Sequence, residues 1–210
     1  AMFCDVDPEA VIQNLTAKSF IVGSVTRITG VTVSGIVNLD GTAGMILIGK
    51  DFVRNGSVTI TGGGSLEIDN SGTITSSGGT MNISGHYLQS GSGTTNVSYN
   101  LTTGDYITFT SGITLIGNSI YNSAGGGVTF ASVNGGYNID IYAATGAVSA
   151  GNIGGTIPLS AITVHTASDV TFGDISAASL SITATGSTDL TGNVLTSAIA
   201  GVVIGTNTLT

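Results

Sequence analysis

Apolar and polar positions alternate along most of this chain, in runs too short for a helix and too regular for a loop. In Ser65–Asn70, Leu66 and Ile68 fall on one side and Glu67 and Asp69 on the other. In Val58–Thr61, Val58 and Ile60 take the inner side and Thr59 and Thr61 the outer. A period of two is the signature of a β-strand with one buried and one wet face. The stretches TVSGIVNLDG, GMILIGKDFVRNG, GSVTITGG, GSLEIDNSG, GTITSSGG and GTMNISG each give a few such residues and then a break at Gly, Asn or Ser, which predicts many short strands joined by tight turns. The N-terminus departs from this texture. DPEAVIQNL offers Asp7 as an N-cap, Pro8 in the first turn and Glu9 at the positive end of a helix dipole, with Ala10, Val11, Ile12 and Leu15 as an apolar stripe. That predicts a short helix over 7–15. Residues 1–18 are expected to form a cap that covers the open end of a repeat domain, residues 19–210.

The alternation repeats at a longer interval. Ile107-Thr-Phe109 returns as Val128-Thr-Phe130, Val148-Ser-Ala150 and Val170-Thr-Phe172, in steps of 21, 20 and 22. Val133, Ile153, Ile175 and Val194 keep the same beat. So do the pairs Ile139/Ile141, Ile162/Val164, Leu180/Ile182 and Val202/Ile204. A unit this short cannot bury its apolar face alone, so it must stack on its neighbours. A propeller blade needs about 40 residues and four strands, a reading that the doubled step from Phe130 to Phe172 leaves open. The preferred fold is an all-β, right-handed parallel β-helix with one unit per coil. Over residues 19–210 that gives about nine coils and, at ~4.8 Å per strand, a rod of about 43 Å. Phe109, Phe130 and Phe172 are then expected to share one column inside the rod, with Ala150 as its small member. The pattern is still running at Asn207–Thr210, and the expectation is a fragment of a longer chain.

Composition narrows function by exclusion. The chain holds 33 glycines, charged residues are 8%, and the net charge is −8. All four cations, Lys18, Arg27, Lys50 and Arg54, lie in the first 54 positions. Nucleic-acid binding needs clustered cations against phosphate, so no nucleic-acid partner is expected. The negative charge also opposes an anionic membrane surface. Residues 190–210 carry no charge, but Thr, Ser, Asn and Gly interrupt them too often for a membrane span. Cys4 is the single cysteine, so no internal disulfide can form, though a bridge between two chains through it stays open. Asn14, Asn55, Asn82, Asn96 and Asn100 stand in N-glycosylation sequons.

Residues 105–210, with the cadence VTF…NIDI…GNIGGTIPLSAITV…VTFGDISAASLSITATGSTDLTGNV, resemble the stalk repeats of filamentous-haemagglutinin-like adhesins and of autotransporter passenger domains. Residues 19–104 share only the texture. The secretion-domain motifs of that family's N-termini are missing, as are the GGA-aliphatic and FxxN tetrapeptides of chlamydial polymorphic membrane proteins. The resemblance implies an exported bacterial rod, secreted or on the cell surface. Its partners would be a host surface, an extracellular matrix component or neighbouring repeats of the same chain. It carries over no site residue, and no enzyme activity, cofactor or metal is expected.

Each candidate for chemistry stands beside a plainer reading. Many parallel β-helix proteins cleave polysaccharides, and Glu67 and Asp69, two apart on one outward strand face and roughly 7 Å apart by strand rise, form the best carboxylate pair for acid–base work on a glycoside. A solvated outer face is the plainer and preferred reading of the pair. Tyr87 and Tyr99 are candidate sugar platforms beside that pair. Asp169 and Asp174 read as turn residues making local hydrogen bonds; Asp40, Asp105, Asp140 and Asp189 read as solitary. GGGSLEID falls short of a calcium-binding nonapeptide and does not recur. His86 and His165 stand without a second ligand at metal spacing. No Gly-x-Ser-x-Gly elbow occurs. Thr59-Ile-Thr61, Thr73-Ile-Thr75 and Thr108-Phe-Thr110 are not spaced by one coil, as a flat ice-binding face would require.

Overall fold

The alternating runs and tight breaks wind into a coil of three strands. The computed structural model describes the backbone of residues 3–4, 9–12, 15–23, 30–197 and 201–210, and side chains of Ile21, 30–197 and 201–210. One coil shows the plan: Ile107–Phe109 lies on a first face, Ile113–Leu115 on a second and Ser119–Ser123 on a third. The next coil repeats it as Val128–Phe130, Val133–Asn134 and Asn138–Tyr142. Strands of successive coils pair in parallel on each face, as Ile107↔Val128, Ile113↔Val133 and Ser119↔Ile139. The ladders continue through Val148↔Val170, Ile153↔Ile175 and Ile162↔Leu180 to Leu180↔Val202. This is the parallel β-helix that the repeat predicts, with about eight turns in the part whose side chains are described. A propeller is excluded, because its blades are antiparallel sheets and the pairings here run parallel.

The period of two sends one side of each strand inward. Leu66 and Ile68 are buried while Glu67 and Asp69 face out; Val58 and Ile60 are buried while Thr59 and Thr61 face out. On the first face Phe109, Phe130, Ala150 and Phe172 are register partners in one interior file, all buried. The Phe109 and Phe130 rings stack at 5.4 Å and 11°, and Tyr121 meets both edge-on at 5.7 and 5.1 Å. Aromatic pairs favour such offset-stacked and edge geometries, which add to the burial of the rings themselves.

The N-terminal segment differs from its reading as a helix. Asp7, Pro8, Gln13 and Asn14 lie outside the described residues, but Glu9–Ile12 is a strand paired in parallel with Gly30–Val33. Leu15–Gly23 is also a strand, paired with Val37–Gly49. The helix signals are local and weak, whereas an adjacent coil offers a ready ladder of backbone partners, and tertiary pairing overrides propensity. Ala10 and Ile12 stand in register with the buried Val31 and Val33, so the segment continues the repeat.

Corners are held in two ways. Long strands turn from face to face at glycines: Val37–Gly49 bends at Gly44, where φ is +65° and a Cβ would sit 1.9 Å from the Ser65 carbonyl oxygen of the next coil. Only glycine allows that conformation and that approach. Elsewhere a side-chain oxygen at one corner accepts a backbone N–H from the coil above it. Asp51 accepts from Thr73 at 2.6 Å, Asn134 from Thr156 at 2.8 Å, Asp169 from Ser187 at 2.7 Å and Asp174 from Asn193 at 2.8 Å. Asp169 and Asp174 thus clamp successive coils rather than closing their own turns.

Candidate functional site

The outer surface carries the groups from which chemistry could be built. Glu67, half-buried, and Asp69, exposed, both leave the outer side of Leu66–Asn70. Glu67 also has a partner in the next coil. Its Oε1 lies 3.2 Å from His86 Nε2, and His86 Nδ1 lies 2.9 Å from Ser65 Oγ. If the Ser65 hydroxyl donates to Nδ1, the remaining imidazole N–H donates to Glu67. The imidazole lies flat on Tyr106 of the following coil, 4.5 Å between centroids and 9° between planes. Partial burial, Asp105 and Glu67, in that order, raise the Tyr106 phenol above its ordinary value. A hydroxyl, an imidazole and a carboxylate stand in line, an order that nucleophilic chemistry also uses, among backbone groups that hold the coils together. Ser65 Oγ also accepts the His86 backbone N–H at 3.1 Å. The nearby amides of Gly63, Gly85 and Leu66 already donate to Ser84 Oγ and to the carbonyls of Gly64 and His86. An oxyanion needs free, convergent donors, and these are committed to holding the coils together.

The same device recurs four coils on. His165 Nε2 lies 2.7 Å from Asp140 Oδ1, and its ring stacks on Tyr142 at 4.2 Å and 4°. Neither histidine is solitary, and neither is Asp140. Their partners lie 19 and 25 residues away, about one coil, which is the spacing at which a search of the sequence finds them. Exposed polar pairs of this kind contribute little individually; here each joins the outer sides of two neighbouring coils.

Tyr87 and Tyr99 are not on this surface. Both are buried, at 1% and 3% exposure, and form part of the interior. Tyr87 pairs with Leu66 below and Ile107 above, and those buried neighbours fix its direction. The tyrosine-lined groove beside Glu67 and Asp69 is therefore corrected. An open depression of ≈ 340 Å³ on the third face is lined by Thr59, Thr61, Asn82, Ser84, Thr102 and neighbouring residues, and holds neither carboxylate.

The three Thr-x-Thr pairs fall on three different faces, through the register of Thr59 with Asn38, Thr75 with Asn96 and Thr108 with Thr129. What runs along the faces instead is a mixed file of small polar groups. On the first face Thr108, Thr129, Ser149 and Thr171 are successive register partners, with Ser149 Oγ donating to Thr129 Oγ1 at 3.1 Å. On the third, Asn38, Thr59, Asn82, Thr102 and Asn122 follow one another. Of the sequon asparagines, Asn55, Asn82 and Asn100 are exposed, Asn96 is half-buried, and Asn14 lies outside the described residues, as does the side chain of Cys4. Among the described residues no three His, Cys, Asp or Glu side chains converge as a metal site, and no helix is long and apolar enough to cross a membrane. Compared with family models, curated proteins and solved structures, the chain gives no match.

Proposed function

We propose that this chain is a structural stalk or passenger segment of a secreted or surface-exposed bacterial adhesin, a rod that spaces a binding part from its anchor. The observation that supports the reading is the run of Thr, Ser and Asn along the outer strand faces over a continuous, mostly apolar interior. Such a surface offers hydration and few sticky contacts, while the ladder beneath it supplies stiffness. The acidic balance limits adsorption to anionic polymers. Glu67, Asp140, His86 and His165 serve in this reading as braces between coils.

The competing carbohydrate reading loses Tyr87 and Tyr99 and rests on Glu67, Asp69 and the outer stack of His86 on Tyr106. One experiment separates the two. Residues 107–127 form one coil, and their removal joins Tyr106 to Val128, the register partner of Ile107. In the natural full-length protein on its own cells, a stalk predicts that adhesion under flow falls with the lost coil and returns when a copy of 128–147 is inserted in its place. Loss of adhesion that follows Glu67→Gln or Tyr106→Ala but not coil number refutes the stalk. Absence of any adhesion by cells that display the protein refutes the adhesin.

A further inference from the structure

One cation points into the rod. Arg54 ends the strand Asp51–Arg54 in register with Val33 below and Ser76 above, and it is 7% exposed. Its neighbour Val53 takes the outer side instead, 43% exposed. The guanidinium Nε donates to Ser76 Oγ at 2.6 Å, one terminal nitrogen donates to the Gly56 carbonyl, and the central carbon sits 4.8 Å over the Tyr99 ring. The other terminal nitrogen, Nη2, is buried and finds no acceptor among the described residues. No carboxylate of the described residues lies within ion-pair distance of it.

The groups around Arg54 are donors as well. The Tyr99 ring lies beside the guanidinium, and Tyr87 is fully buried next to Arg54 and Tyr99, the two phenols close enough to interact with each other. Burial holds both phenols protonated: Tyr87 is pushed up to about 12, and Tyr99 is raised as well. Neither of them supplies the negative charge that the guanidinium lacks. A buried charge left without a partner is among the costlier features a fold can hold. Beside these groups an interior cavity, lined by Arg54, Ser76, Tyr87, Val33, Phe52 and Met81 among others, leaves ≈ 20 Å³ open to the centre of a water-sized body. A volume of at least about 10–15 Å³ on that measure holds one such body. A polyatomic anion does not fit.

We infer that the interior of the rod binds a single monatomic anion, a halide such as chloride, held by Arg54 Nη2 in the cavity that Ser76 and Tyr87 also line. The ion neutralises the guanidinium and gives Nη2 an acceptor. The site joins strands of several coils, so binding is coupled to the stacking of the N-terminal part of the rod.

Two measurements test this on the 210-residue chain. The protein is unfolded and refolded in chloride-free sodium gluconate, and urea denaturation is followed at fixed ionic strength while chloride replaces gluconate. Above the dissociation constant each tenfold rise in chloride should raise the folding equilibrium constant up to tenfold, and Arg54→Met should abolish the dependence. Chloride dependence that persists unchanged in Arg54→Met overturns the proposal. Crystals of wild-type protein refolded in sodium bromide should show an anomalous peak within hydrogen-bonding reach of Arg54 Nη2. A water there, or no peak, overturns it as well, and this second measurement decides alone if Arg54→Met does not fold.

Discussion

Replacing Phe130 by alanine tests the stacked interior most directly. The ring is 2% exposed, lies on Phe109 at 5.4 Å and is met edge-on by Tyr121 at 5.1 Å. Its register partner in the following coil is Ala150, already small. A phenyl side chain buries roughly 150 Å² or more, and the alanine methyl keeps part of that, so at ~25 cal/mol/Å² the lost transfer term is about 3 kcal/mol. With alanine on both levels, nothing on the Ala150 side can collapse into the gap. A residual cavity of roughly 40 Å³ adds about 1 kcal/mol at ~24 cal/mol/Å³. Burial and cavity together give about 4 kcal/mol, and the lost ring contacts about 1 kcal/mol more, so the expected destabilisation by urea denaturation is about 5 kcal/mol. Phe172→Ala, between Ala150 and Leu190 and without an aromatic neighbour among the described residues, should cost about 1 kcal/mol less, the share of the ring contacts. Because each coil touches only its neighbours, amide exchange should quicken first in 107–109, 128–130 and 148–150. Val53→Ala, on the outer side, should stay within about 0.5 kcal/mol. A loss below about 1 kcal/mol for Phe130→Ala, or faster exchange spread evenly along the rod, would refute the reasoning.

Three further outcomes follow from the same geometry. Gln89 is fully buried; its amide donates to Asn70 Oδ1 and the Gly91 carbonyl and accepts from the Ser111 amide and hydroxyl. Gln89→Leu should cost about 2–3 kcal/mol by leaving these groups unpaired, and a cycle with Asn70→Leu should show coupling of at least about 0.5 kcal/mol. Ala144 holds a φ of +46°, a conformation that costs an L-residue roughly 1–2 kcal/mol, so Ala144→Gly should raise the urea midpoint by up to about 1 kcal/mol of stability. Asp169 accepts from the Ser187 amide and hydroxyl, which hold its carboxyl below its ordinary value. Its pKa is depressed by folding, so the clamp's contribution is present above the ordinary carboxylate range and is lost as pH falls through the lowered value. A carboxyl-carbon NMR titration should place Asp169 below an unfolded aspartate, and Asp169→Asn should remove that part of the acid dependence.

Much of this architecture is legible in the linear chain because two periods are. Alternation at two sets which side of a strand is apolar, as in Leu66–Asn70, and recurrence near 21 sets which residues stack, as in Ile107, Val128, Val148 and Val170. Both follow from local geometry and from the inability of one coil to bury its face alone. Tertiary packing decided the phase wherever apolar and polar residues compete for the inner side. Leu88 faces out and Gln89 in, and Val53 faces out and Arg54 in, because Ile68 and Phe109 or Val33 and Ser76 fix their register. The strand at Glu9–Ile12 and the pairing of His86 with Glu67 and of His165 with Asp140 have the same origin. Each needs a neighbouring coil, and a neighbour one coil away in the chain becomes a contact only when the coil closes.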